Sequence, residues 1–181
     1  NWNILLALSN KSADAGENWN STKLEMNKKK RVPLSPMIED LIEKVHHKKL
    51  KKNKSISLQI KKQKKVYADE EFLKEAISNL IDNAIKYSKE SVKINISSSS
   101  DANHDIINIY DNGIGIPQKD QKKIFEKFER ASAIKQTRKG GPSGFGLGLN
   151  YVYQVMEAHE GRVYINSIEG EFSEFSLLIP K

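Results

Sequence analysis

Between Leu73 and Ile85 the hydrophobic positions recur at helical spacing. Leu73, Ala76, Ile77, Leu80, Ile81, Ala84 and Ile85 line one broad apolar face, suited to a core. Glu75, Asn79, Asn83 and Lys86 follow at steps of four, four and three, so they stack along another face of the same helix. Asparagine is a mediocre helix former, because its amide competes for backbone hydrogen bonds. Two of them on one stripe of a well-patterned helix therefore ask for a reason, although a solvated polar face is the ordinary one.

The rest of the chain is arranged around this helix. Residues 1–9 read as the end of an apolar-faced helix, and the polar stretch to about Val32 as a linker or irregular arm. Ser35-Pro36 predicts an N-cap followed by proline at the first helical position, with Met37, Leu41, Ile42 and Val45 continuing that helix to about Leu50. Ile56, Leu58 and Ile60 alternate as a half-buried strand, Lys65 to Ala68 form a second short one, and Asp69 can cap the central helix. Val92, Ile94 and Ile96 predict a strand that pairs as a hairpin with Ile106 to Tyr110, across a polar turn (SSSSDANHD) too long to fix the register. A helix is expected from about Gln118 to Glu129, a basic loop over Ala131 to Ser143, and a helix from about Leu147 to Glu160 stopped by Gly161. Arg162 to Ser167 and Glu171 to Ile179 close the chain as strands. This order predicts an α/β fold, a two-layer sandwich in which helices cover one face of a mixed sheet.

Composition narrows the classes. With 181 residues, 38% hydrophobic and 29% charged, the chain can bury one real core. The absence of cysteine excludes a disulfide framework and a thiolate metal site. The apolar run Ile4 to Leu8 is too short to span a bilayer and lacks a basic leader; with Asn1 first, the chain is expected to be a piece of a longer protein. Charge is uneven: residues 1–70 hold 16 Lys+Arg against 8 Asp+Glu, and the remainder 14 against 15, within a net +7. Such a front half could dock on nucleic acid, an anionic membrane or an acidic partner. No aromatic residues are interleaved with its basic runs to stack on bases, so a solvated surface and no nucleic-acid partner are expected.

Three segments carry candidate chemistry. Asp111 to Pro117, DNGIGIP, directly follows a predicted strand. It is an ordinary turn signal, yet every residue has a use beside a flat ligand. Asp111 offers a carboxylate to an exocyclic amine, Gly113 and Gly115 permit close backbone approach, and Ile114 and Ile116 supply apolar walls. Gly140 to Leu149, GGPSGFGLGL, opens a helix, where free backbone N–H groups attract anionic oxygens; Lys135, Arg138 and Lys139 add positive charge. A flexible linker has the same composition, and neither the P-loop nor the dinucleotide pattern is present. Between them, Ile124 to Arg130, IFEKFER, reads as an amphipathic helix with Phe125 and Phe128 in the core and Arg130 able to reach a phosphate.

In order, NLIDNAIKYS, DNGIGIP, IFEKFER and GFGLGL resemble the N, G1, F and G2 boxes of the catalytic, ATP-binding domain of sensor histidine kinases, a superfamily shared with gyrase-type, heat-shock chaperone and mismatch-repair ATPases. The resemblance covers about residues 55–181 and implies a Bergerat-type fold that binds ATP with Mg²⁺. It implies Asn83 as the Mg²⁺ ligand, Asn79 on the phosphate side, and Lys86 and Tyr87 flanking the nucleotide. Asp111 would recognise the adenine amino group, with Gly113, Gly115 and Ile116 beside it and Phe128 among the ATP contacts. Ala131 to Ser143 would form a lid, while Gly144, Gly146, Leu147, Gly148 and Leu149 would close over the triphosphate. Asn79 and Arg130 are the implied catalytic pair, Arg130 near the γ-phosphate.

Within the superfamily, ATP hydrolases place a Glu at the position of Asn79, as the base that activates water. Neutral imidazole already presents a lone pair and needs none. Asparagine there fits transfer to histidine, although a plain nucleotide-binding module or an ATP hydrolase of the same fold stays open. The sequence departs from the family pattern at Phe145, at Gly170-Glu171-Phe172 in place of a late G-x-G, and at His159-Glu160-Gly161 in place of His-Gly-Gly. None of His46, His47, His104 or His159 lies in the phosphoacceptor pattern H-E-x-R-x-P, and each is expected at the surface. The resemblance thus implies a tail of a dimerisation helix and linker over 1–32, a catalytic domain over 33–181, and an acceptor histidine upstream. Implied partners are that dimerisation domain and a response-regulator receiver. The implied location is cytoplasmic, within a parent of a family that includes membrane-anchored members.

Overall fold

The structure, a computed structural model, describes residues 24, 28–47, 53–125 and 147–181. In chain order its elements are β1 (Lys29–Pro33), α1 (Leu34–His47), β2 (Asn53–Gln59), β3 (Lys65–Asp69), α2 (Glu70–Lys86), β4 (Ser91–Ser100), β5 (His104–Asp111), α3 (Gln118–Gln121), α4 (Leu147–Ala158), β6 (Arg162–Ile168) and β7 (Phe172–Pro180). The main sheet has the order β2-β4-β5-β7-β6, with β2 parallel to β4 and every other pair antiparallel. β1 and β3 form a separate antiparallel pair. The expected mixed sheet under helices is what forms.

Alternation along the strands decides which face is covered. Ile96, Ile109, Phe175 and Ile165 align across β4, β5, β7 and β6, and all four are buried. Ile107, Leu177 and Val163 make a second buried row. The intervening positions carry Asn95, Ser97, Asn108, Tyr110, Glu174 and Ser176, so the opposite face is polar. α2 sits on the apolar rows with all seven of its patterned residues buried. Each such large side chain contributes roughly 1.5–3 kcal/mol when fully buried. Asp69 starts α2 by accepting from Glu71 N and Phe72 N, and Glu70 and Glu71 complement the helix dipole.

Several boundaries differ from the pattern. The end of the stretch expected as a polar arm is strand β1, recruited because Val32 inserts into the core opposite Val66 of β3. α1 begins at Leu34, so Ser35 lies inside the first turn and its hydroxyl donates to Glu39 Oε1 at 2.8 Å. The serine tract expected in the hairpin turn continues β4 to Ser100; the turn tightens to three residues because Asp101 Oδ1 accepts from both Asn103 N and His104 N. α4 ends at Ala158, and Glu160, not Gly161, takes the left-handed conformation after it (φ 59°). The expected helix from Gln118 is described only as the single turn α3, and its continuation beyond Phe125 lies outside the described residues.

His159 was expected at the surface and is buried instead, 2% exposed. Its Nδ1–H donates to Val155 O at 2.7 Å and its Nε2 accepts from Asp69 N at 2.9 Å. That second bond ties the end of α4 to the cap of α2, and it requires a neutral ring. Burial, with nearby Lys29 adding to it, holds the imidazole below its ordinary value, against the opposing Val155 bond. A lowered value means the unfolded chain binds the proton more readily, so the contribution is full above the ordinary histidine value and is lost as pH falls through the folded one. His159→Leu leaves the Asp69 N–H without an acceptor and is expected to cost about 1–3 kcal/mol at pH 7.5. Denaturant unfolding at pH 7.5 and 5.5 checks it: the wild-type chain should lose more stability between the two than the variant does.

Candidate functional site

Asp111 closes β5 two residues beyond Ile109, so strand periodicity turns its carboxylate toward the helix layer rather than into solvent. Only 7% exposed, it accepts from Gly113 N at 2.8 Å through Oδ1. Among the described residues nothing donates to its other oxygen. Burial pushes its carboxyl up to about 6, in spite of the Gly113 bond. A buried carboxylate with one oxygen free is poised to accept from a ligand's N–H donor.

The loop after Asp111 is held on three sides. Asn112 exchanges bonds with the Lys93 backbone, Ile114 N donates to Tyr87 O at 3.1 Å, and Gly170 N donates to Ile114 O at 2.7 Å. Ile116 N donates to Ser167 Oγ, and Gln121 Nε2 donates to both Ile116 O and Ser167 O. The glycines, expected beside a flat ligand, also let protein groups approach closely. A Cβ on Gly113 would sit 2.5 Å from Asp111 Oδ1, and one on Gly115 1.9 Å from Ile168 O. Gly115 also adopts φ 65°, which other residues rarely do. The turn at Gly170-Glu171-Phe172 forms without its second glycine, since Gly170 takes φ 82° and Phe172 stacks on Tyr110 at 5.6 Å.

The polar stripe of α2 divides in two. In its first half, Glu75 Oε2 accepts from the Tyr151 hydroxyl of α4 at 2.6 Å. Asn79 Nδ2 donates to Glu75 O at 3.0 Å, and its Oδ1 faces Gly148, where a Cβ would come within 2.9 Å. In the second half, Asn83 is half-buried and its side-chain amide makes no bond among the described residues; only its backbone carbonyl is used, by Tyr87 N. Lys86 Nζ lies 5.2 Å over the Tyr87 ring. No group of three or more His, Asp or Glu side chains gathers among the described residues, so a divalent cation here would rest on Asn83 and on oxygens brought by a ligand. That fits Mg²⁺, which takes few protein oxygens and shares phosphates and water.

Thus the structure sets Asn79, Asn83 and Lys86 along α2, brings the loop of Asp111 and Gly113 to Tyr87 at its end, holds Gly115 and Ile116 of that loop against β6, and sets Gly148 and Leu149 at the start of α4. Leu147 begins α4, and of its side chain nothing is described. Phe128, Arg130, Gly144, Gly146 and the lid residues lie outside the described residues. Phe125 is buried as expected, edge-on to Phe175, and its carbonyl accepts from Asn150 Nδ2 at 2.9 Å. Sequence reasoning did not reach Tyr151 as the partner of Glu75, nor Ser167 and Gln121 as holders of the loop. The one legible signal was Glu75 on the stripe, three residues along α4 from Gly148 in the case of Tyr151.

Residues 68–181 match the family model described as histidine kinase-, DNA gyrase B- and HSP90-like ATPase, and the chain belongs to that family. The adaptive-response sensory kinase SasA of Synechocystis sp. is 33% identical over 149 residues, which are 81% of this chain and 38% of that one. The sensor protein kinase WalK of Staphylococcus haemolyticus is 38% identical over 114 residues, 62% of this chain and 18% of that one. Among solved structures, the catalytic domain of histidine kinase ThkA superposes with a TM-score of 0.70 at 26% identity, covering 85% of this chain and 98% of that domain. The fold is that of histidine kinase catalytic domains. The chain spans well under half the length of the curated kinases it matches. Among the described residues no helix is long and apolar enough to cross a membrane.

Asp111 generates a paired prediction. A carboxyl raised to about 6 stabilises the ligand-free fold below its ordinary value, and that contribution is lost as pH rises through 6. Asp111→Asn stays neutral and is expected to raise ligand-free stability at pH 7 by on the order of 2 kcal/mol. The same change should weaken adenine-nucleotide binding at least about tenfold, the outcome expected of a carboxylate that accepts from the ligand's amino group, since an amide NH₂ would present a donor there. Thermal unfolding and calorimetric titration of one protein pair read both effects.

Proposed function

We propose that this chain is the ATP-binding catalytic domain of a sensor histidine kinase, donating the γ-phosphoryl of Mg-ATP to a histidine on an adjoining dimerisation domain for relay to a response-regulator aspartate. In this reading Asp111 accepts from the adenine amino group and Tyr87 and Lys86 flank the nucleotide. Asn83 offers its free amide oxygen to the metal, Asn79 lines the phosphate side, and the turn opening α4 meets the phosphates with its backbone N–H groups. Bound Mg²⁺ supplies charge neutralisation at the phosphate oxygens. The chain itself supplies position, since a bound nucleotide is fixed at its base by Asp111 and at its other end by α2 and α4. Arg130 and the lid complete the proposed site from the sequence resemblance. The stretch before β1, residues 1–28, is proposed as dimerisation tail and linker, and the domain as cytoplasmic.

The observation that carries the choice of transfer over hydrolysis is the state of Glu75 and Asn79. Water attack needs a free carboxylate facing the γ-phosphate. Glu75 is engaged by Tyr151, and Asn79, one turn on, is neutral and packed on Gly148. Histidine needs no such base.

Two measurements test the reading. Asn83→Ala should reduce Mg-dependent ATP binding by more than about tenfold while the fold, read by circular dichroism, is unchanged; near-normal binding would remove the metal assignment. With γ-labelled ATP and the parent's dimerisation domain supplied separately, label should appear as acid-labile phosphohistidine. Steady ATP hydrolysis by the chain alone, with no transfer, would favour a hydrolase instead.

A further inference from the structure

α2 and α4 pack antiparallel, and their polar contacts form a regular series. Asn79 meets Gly148, Glu75 meets Tyr151, and Asp69 meets His159. Each step along α2 toward its start matches a step along α4 toward its end. Val152, Val155 and Met156 bury the apolar side of α4, but apolar packing is tolerant of small slides. A directional hydrogen bond is not.

The Glu75–Tyr151 bond sits one turn from the Asn79–Gly148 contact on both helices. Its 2.6 Å length is that of a charge-assisted O–H···O⁻ bond. The Tyr151 ring is half-buried against the core, so the hydroxyl is delivered by a rigid lever rather than a flexible chain. Burial and then the Glu75 carboxylate raise the phenol above its ordinary value, so it remains a donor at any physiological pH. The Asn79 amide is aimed by the same residue, through Glu75 O. Glu75 therefore touches both the side chain facing Gly148 and the helix that carries Gly148.

We infer that Glu75 and Tyr151 are positioning residues for the phosphate end of the site: their bond sets the height of the start of α4 over Asn79. This rests on the nucleotide reading above, and assigns the pair to discrimination of ATP from AMP. Among the described residues no hydrogen bond joins Glu75 or Tyr151 to the base end, held by Asp111 and the loop to Ile116.

The test is calorimetric titration of the chain with Mg-ATP and with AMP, for wild type, Glu75→Ala, Glu75→Gln, Tyr151→Phe and the Glu75→Ala/Tyr151→Phe double variant. Glu75→Ala and Tyr151→Phe should each weaken Mg-ATP by about fivefold while AMP stays within about twofold, as expected for one hydrogen bond acting at one end of the ligand. The double variant should be no worse than either single one, because both remove the same bond. Glu75→Gln should retain most of the affinity, its amide oxygen still accepting from the phenol. Tyr151→Phe keeps the ring and its packing, so the comparison survives if truncation at Glu75 disturbs folding. Equal losses for ATP and AMP, additive losses in the double variant, or an unchanged ATP/AMP ratio would overturn the inference. Failure of the wild-type chain to bind ATP would instead overturn the function on which it rests.

Discussion

Everything proposed for this site depends on how α2 is held against α4. α2 carries Asn79, Asn83 and Lys86 on one face and buries its opposite face on the sheet, so its rotation is settled by the core. Its relation to the start of α4 is not. That relation comes from three polar contacts along the seam, at Asn79–Gly148, Glu75–Tyr151 and Asp69–His159. The sheet adds the other fixed point, since strand alternation turns Asp111 under the same helix layer. The carboxylate proposed to recognise the base and the helix end proposed to face the phosphates are thereby set by two independent parts of the fold.

This arrangement explains why one stripe of α2 serves two purposes. Toward the helix start the contacts are structural, with Glu75 bonded to Tyr151 of α4 and the Asp69 cap to His159 just beyond it, while Asn79 both meets Gly148 and lines the proposed phosphate side. The half toward its end is left open, with the Asn83 amide free among the described residues and Lys86 beside Tyr87. Placing Glu75 in the structural half has a chemical consequence. Glu75 is committed to a phenol and Asn79 carries no charge, which is consistent with the proposed transfer to an incoming nucleophile. Asp111 shows the converse: a carboxyl raised to about 6 by burial is a stability cost in the ligand-free chain, of the kind that function retains.

Much of this was legible in the sequence, for reasons that can be given residue by residue. The α2 face, the β4–β5 hairpin and the helix after GFGLGL follow from periodicities strong enough to survive any tertiary context. The four boxes named the family and Asp111 within it. What stayed hidden depends on contacts between distant segments. β1 reads as a polar arm because only Val32 of its five residues is buried. The serine tract reads as a turn because serine has no strand signature of its own, and pairing with β5 decides it. His159 looks like an exposed helix end until Asp69 N is found beside it. That Gly113 and Gly115 also pack against Tyr87 O and Ile168 O was hidden for the same reason, since those groups belong to other elements.

The most direct test of this division of α2 is an amide and side-chain NMR titration of the chain with Mg-ATP. The account predicts that the Asn83 side-chain amide and the backbone amides of Gly113 and Gly148 move on binding, while the Asp69 amide and the His159 ring, on the structural seam, stay where they are. Shifts centred on Asp69 and His159 with Asn83 and Gly113 unmoved would contradict it.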